Sequence, residues 1–152
     1  MNLNRRALLA LYAASAVTLV APMAAAKTPP VYTEGAVAID GSDAVAYFSA
    51  GKPVAGSPDH AVEWNGATWL FSSAQNAAIF ADAPERYAPQ YGGYCAFAMA
   101  NGYIAPTVPE AWSIVDGKLY LNYSLSVRER WQSDTAGHIE KGDRNWPDVL
   151  NQ

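Results

Sequence analysis

PERYAPQYGGYCAFAMANGY, residues Pro84 to Tyr103, holds the single cysteine of the chain, Cys95, and crowds Tyr87, Tyr91, Tyr94, Phe97 and Tyr103 around the pair Gly92-Gly93. Two glycines between large rings are what a backbone needs where it turns sharply among bulky side chains, because glycine accepts positive φ without a Cβ clash. Tyr91-Gly92-Gly93-Tyr94 is therefore read as a structural motif. It is not a phosphate loop, since neither a lysine nor a helix start follows the glycines.

Working outward, the flanking sequence alternates hairpins with short helices. Val62-Glu63-Trp64, Asn65-Gly66 and Ala67 to Phe71 spell a hairpin, Asn-Gly being the pair that most readily takes two positive φ values. Trp112 to Val115 and Leu119 to Tyr123, joined around Asp116-Gly117, spell a second, with Trp112, Ile114, Leu119 and Leu121 on apolar faces. Between them Ser72-Ser73 opens a helix with Ala77, Phe80 and Ala81 on one face. Pro84 begins a short turn through Ala88. Upstream, Asp40-Gly41-Ser42-Asp43 is a turn, Ala44 to Phe48 a strand or one helical turn, and the breaker-rich Ser49 to His60 a surface loop. Ser126 to Lys141 reads as one amphipathic helix carrying Val127, Trp131 and His138, ended by Gly142 and Pro147. The fold class is α+β, a small single domain of two β-hairpins and short helices around an aromatic core.

Met1 to Ala26 has the zones of an export signal: Arg5-Arg6, the apolar run Ala7 to Val20, and the small residues Ala24 to Ala26. The run falls short of the roughly 20 residues a spanning helix needs, so no membrane anchor is expected once the signal is removed. Paired arginines before Ala7-Leu8-Leu9 resemble a twin-arginine signal, which places the mature chain, from about Lys27, in the periplasm or outside the cell. Of ten basic residues two lie in this leader, leaving eight against fourteen acidic ones, a net of −6. Scattered cations under that net charge exclude a nucleic-acid partner. A lone cysteine excludes an internal disulfide, so packing must carry stability.

Cys95 has two readings. It is a small buried hydrophobe among Tyr94, Ala96 and Phe97, or it is a thiol that binds or reacts. Met99 lies four residues on, on the same face, and thiolate with thioether suits copper(I). His60, in the loop after Asp59, is a solvated imidazole or a third ligand. His138 closes the edge of the core on the face of Trp131. Asp40 and Asp43 serve their turn through backbone bonds, the alternative being acid–base work. The tryptophans and tyrosines form the core or the wall of a pocket.

Asp40 to Phe48, Gly66 to Ser73, Phe80 with Pro84 to Tyr87, and then Tyr87 to Ala96 and Trp112 to Asn122, resemble the YHS domain and its exported bacterial branch over about residues 36–123. The resemblance implies a treble-clef-like scaffold in which relatives hold a metal through cysteines. Here those places hold Ala46, Ser72 and Asn76, none of them a thiolate, so the metal site is not carried over. The resulting organisation is a signal at 1–26, a tether at 27–35, a YHS-like domain at 36–123 and a helical extension at 124–152. The expected function is a non-catalytic exported module for an unknown small molecule or metal ion. A copper-handling protein using Cys95, Met99 and His60 is the second reading. A thiol enzyme is the third; it needs a base beside Cys95, and both histidines are distant in sequence.

Overall fold

Asn65 and Gly66 take φ of 50° and 79°, the left-handed pair that a two-residue hairpin turn requires. The computed structural model describes residues 27–152; residues 1–26, read from the sequence as an export signal, lie outside the described residues. With β1 (Thr33–Glu34) and β2 (Val37–Ala38), the strands on either side of that turn, β3 (Ser57–Trp64) and β4 (Ala67–Phe71), form a four-stranded sheet in the order β1-β2-β4-β3. β2 runs parallel to β4, and the other pairs are antiparallel. A separate hairpin of β5 (Trp112–Val115) and β6 (Lys118–Leu121) turns on Asp116 and Gly117, at φ 50° and 73°. Both expected hairpins are present, and the chain is a small α+β domain.

β4 alternates, burying Ala67, Trp69 and Phe71 on one face. Against that face lies α1's neighbourhood, α1 being Ala46–Ser49, and above all α2 (Ala74–Asp82), whose Phe80 ring sits 5.0 Å from Trp69 and 4.9 Å from Phe71. Each such ring removed from water contributes on the order of 2–3 kcal/mol. A second cluster gathers Tyr91, Tyr94, Met99, Tyr120, Trp131, Val149 and Leu150. β6 is the wall between the two clusters: Leu119 and Leu121 face the first, and Tyr120 faces the second.

Four short helices follow, α3 (Pro84–Tyr87), α4 (Ala96–Ala100), α5 (Leu125–Gln132) and α6 (Thr135–Asn145). The one long tail helix expected from the sequence is thus two. Asp134, in a non-helical conformation, turns its carboxylate to the Gly137 N–H at 3.1 Å and starts α6 afresh, and this local cap outcompetes helical continuation. The breaker-rich segment is also shorter than expected, for Ser57 to His60 belong to β3. Pro58 is tolerated because β3 is the sheet edge, and the pairing slips between Ser57 and Ala61. Ile114, expected on an apolar inner face, is 36 % exposed.

The segment read as a tether is strapped to the body. Val31 is buried, Thr28 donates its N–H to the Leu150 carbonyl at 3.0 Å, and Tyr32 donates to the Gly92 carbonyl at 2.9 Å. The Tyr94 hydroxyl donates to the Pro29 carbonyl at 2.9 Å. Proline keeps this stretch extended, which leaves its carbonyls free to accept. Likewise the helical extension supplies Trp131, Val149 and Leu150 to the second cluster.

Candidate functional site

Asp43 has no exposed surface, yet it is charged at neutral pH. The turn before α1 delivers its carboxylate to the start of α2, where five donors meet it. Oδ1 accepts from the Val45 and Ala46 N–H groups at 2.9 and 3.1 Å. Oδ2 accepts from Ser72 N at 2.9 Å, Ser72 Oγ at 2.6 Å and Asn76 Nδ2 at 2.8 Å. Burial by itself would push this carboxyl up, but the bonds from Asn76, Ser72 and Ala46 outweigh it and hold the group below its ordinary value of 3.8. Ser73, not Ser72, caps α2, accepting from Asn76 N at 3.1 Å.

The three positions at which the resemblance places sulfur ligands, Ala46, Ser72 and Asn76, therefore do converge, and all three bond to Asp43. They do not fit a metal ion. Each points a hydrogen at the centre of the node, whereas a cation needs lone pairs there, and the one carboxylate present is saturated. Among the described residues no three of His, Cys, Asp or Glu come together as a ligand set.

A different place offers room. Between α4, the loop after it and α5 lies a cavity of about 260 Å³ lined by Cys95, Phe97, Ala98, Tyr103, Ala105, Tyr123, Val127 and Arg130. Its geometry follows from local structure. Cys95 ends the Gly92-Gly93 turn and donates its N–H to the Ala105 carbonyl at 3.0 Å, while Tyr103 follows the tight turn that ends α4. Val127 and Arg130 stand three apart on α5, one helical face. Tyr103 and Tyr123 are 51 % and 54 % exposed and form the rim, whereas Cys95 is 1 % exposed. Behind Cys95, the fully buried Asn122 accepts at Oδ1 from Phe97 N at 3.0 Å and from the thiol at 3.6 Å. Its Nδ2 is buried without a partner.

The other residues singled out from the sequence are dispersed. Met99 is fully buried among the rings of the second cluster and does not line the cavity. His60 is half-buried on edge strand β3. His138 packs its ring against Phe97, 5.3 Å between centroids, and its Nδ1 lies 2.8 Å from the Trp131 carbonyl, which can only accept, so that nitrogen carries the proton. Asp40 accepts from the Tyr32 hydroxyl at 3.1 Å; burial first, and then Asp40, raise that phenol to about 12. Asp40 is exposed and Asp43 is buried, each with its own partners, so they form no acid–base pair.

Tyr91, Gly92 and Gly93 take φ of 58°, 63° and 87°, three left-handed residues in a row. The turn turns the Tyr91 hydroxyl toward α6, where it donates to Asp143 Oδ1 at 2.9 Å. Sequence reasoning missed two features. One is the Asp43 node, whose partners lie 29 and 33 residues away. The other is Tyr123 with Arg130 as cavity residues, which no local signal marks.

Compared with known proteins, residues 45–91 match the family model of the YHS domain, a narrower span than the resemblance over 36–123. The match takes in Ala46, Ser72 and Asn76 and stops short of Cys95 and the cavity. No curated protein and no solved structure matched the chain.

Proposed function

Residues 45–91 matching the YHS domain model, we propose that the chain is a non-catalytic binding module in which this segment belongs to the scaffold and the following residues carry a small-molecule site between α4 and α5. The observation that carries the reading is the cavity beside Cys95, walled by Phe97, Ala98, Ala105 and Val127 and rimmed by two half-exposed tyrosines. Rings with one apolar side and a wet hydroxyl are the usual lining of a small-ligand pocket. The module works outside the cytoplasm, a reading supported by the leader-like residues 1–26.

Filling the cavity tests this. A mixture of small aromatic and aliphatic compounds should move the ring signals of Phe97, Tyr103 and Tyr123 in the natural chain and leave them unmoved in Val127→Trp. Shifts that persist in Val127→Trp would sink the site. The second reading, a soft metal ion, draws on Cys95 as the one soft donor lining the cavity; stoichiometric copper lost on Cys95→Ser would favour it over the first. N-terminal sequencing of protein recovered from the exported fraction should give a start near Lys27.

A further inference from the structure

The cavity carries one charge, and it is positive. Arg130, in the last turn of α5, is exposed at its edge, and no Asp or Glu lines it. Among the described residues Arg130 makes no ion pair. Its neighbour Arg128 is already spent, donating to the Glu110 and Trp112 carbonyls at 3.3 and 3.1 Å. Other cavities differ. Those beside Asp116, Glu140 and Asp143, and beside Glu34 and Asp40, are acidic. The one holding Arg86 has its guanidinium over the Tyr87 ring at 5.5 Å.

One further donor stands outside the lining itself. Asn122 is fully buried behind Cys95 with Oδ1 occupied, and its Nδ2 donor has no acceptor. The rim thus offers the Arg130 guanidinium, which can only donate, and the Tyr103 and Tyr123 hydroxyls, which donate or accept.

We infer that the ligand of this cavity is a small aromatic or apolar carboxylate, its ring against Phe97 and Val127 and its anion paired with Arg130. The inference rests on the binding-module reading above and adds the ligand's chemical class. A guanidinium–carboxylate pair is the strongest contact the lining can make, since both partners are charged and the geometry can be bidentate.

The test uses benzoate and its neutral counterpart benzyl alcohol, titrated into the mature chain and followed by the ring signals of Phe97, Tyr103 and Tyr123. Benzoate is expected to bind more tightly than benzyl alcohol. Arg130→Gln should weaken benzoate by roughly tenfold or more, the usual scale of a lost charged hydrogen bond, while leaving benzyl alcohol within about twofold. Arg86→Gln should change neither. Equal affinity for both probes, or equal benzoate loss in Arg86→Gln, would overturn the carboxylate assignment while leaving the cavity a binding site. Failure of both probes to move any of the three rings would overturn the binding-module reading together with it.

Discussion

Asn76 donates its side-chain amide to the Asp43 carboxylate at 2.8 Å, tying the first turn of α2 to the turn before α1 across 33 positions of sequence. Ser72 adds two more bonds to the same oxygen. The family resemblance implies an ion at these places, gathering the turn, the hairpin end and the helix. Here a carboxylate gathers them with hydrogen bonds alone. Removing it leaves three backbone N–H groups and two side-chain donors aimed at nothing, and unpaired buried donors are costly. Asp43→Ala should lower the unfolding free energy by about 3–5 kcal/mol, and Ser72→Ala by about 1–2 kcal/mol, measured by urea denaturation. An Asp43→Ala loss no larger than that of Ser72→Ala would show that the node is not cooperative.

The same node sets an acid limit. The folded carboxyl of Asp43 lies below 3.8, its ordinary value. A depressed folded value stabilises the fold at pH above the unfolded value, and that contribution disappears as pH falls through the folded one. Stability should therefore fall below pH 3.8. Asp43→Asn should show a flatter acid limb than the natural chain; parallel acid limbs would assign the loss to other carboxyls.

Gly92 combines φ 63° with a Cβ direction that runs into the Pro30 carbonyl. Gly92→Ala must displace the strapped segment as well as adopt a left-handed conformation. Gly117, at φ 73°, faces open space, so Gly117→Ala should cost only about 1–2 kcal/mol, the conformational term alone. Gly92→Ala should exceed that and also speed hydrogen exchange at Tyr32 N–H, whose acceptor is the Gly92 carbonyl. Equal costs would mean the strap yields freely.

Cys95 is 1 % exposed and its thiol donates to the Asn122 side-chain oxygen Oδ1 at 3.6 Å. A bulky disulfide reagent at neutral pH should modify it slowly in the folded chain and at once in urea. Rapid modification of the folded chain would make it an activated nucleophile.

Burial first, then the bond to Asp143, hold the Tyr91 hydroxyl far above the ordinary phenol range. A raised folded value keeps its contribution intact below the unfolded value of 10.0 and loses it as pH climbs beyond. Tyr91→Phe should cost about 1–2 kcal/mol at neutral pH and shrink the alkaline loss of stability. An unchanged alkaline limb would point to Tyr94 or Tyr120 instead.

Local chemistry was legible and distant pairing was not. Asn65-Gly66 and Asp116-Gly117 announce their turns because two adjacent residues settle the backbone. Asp134 falls inside the helical pattern of the tail, and nothing in an amphipathic period marks a restart there. Pro58 concealed the first half of β3, because whether proline is admissible depends on the strand being an edge. Burial of Cys95 was readable from its neighbours. The cavity beside it was not, being assembled from Tyr103, Tyr123, Val127 and Arg130 on three separate segments. The placement of Asp43 could be sensed only through Ser72 and Asn76 standing where a related sequence would carry sulfur.

Thr28 and Leu150 share a hydrogen bond of 3.0 Å, so the first and last of the described residues, 27–152, lie side by side. A linker of a few residues would join them, and the exposed Asn65-Gly66 turn offers a new opening on the edge hairpin. Such a rewired version of residues 27–152 should fold and keep its cavity, whereas labels attached beside Thr28 and beside Leu150 will crowd the same corner of the molecule.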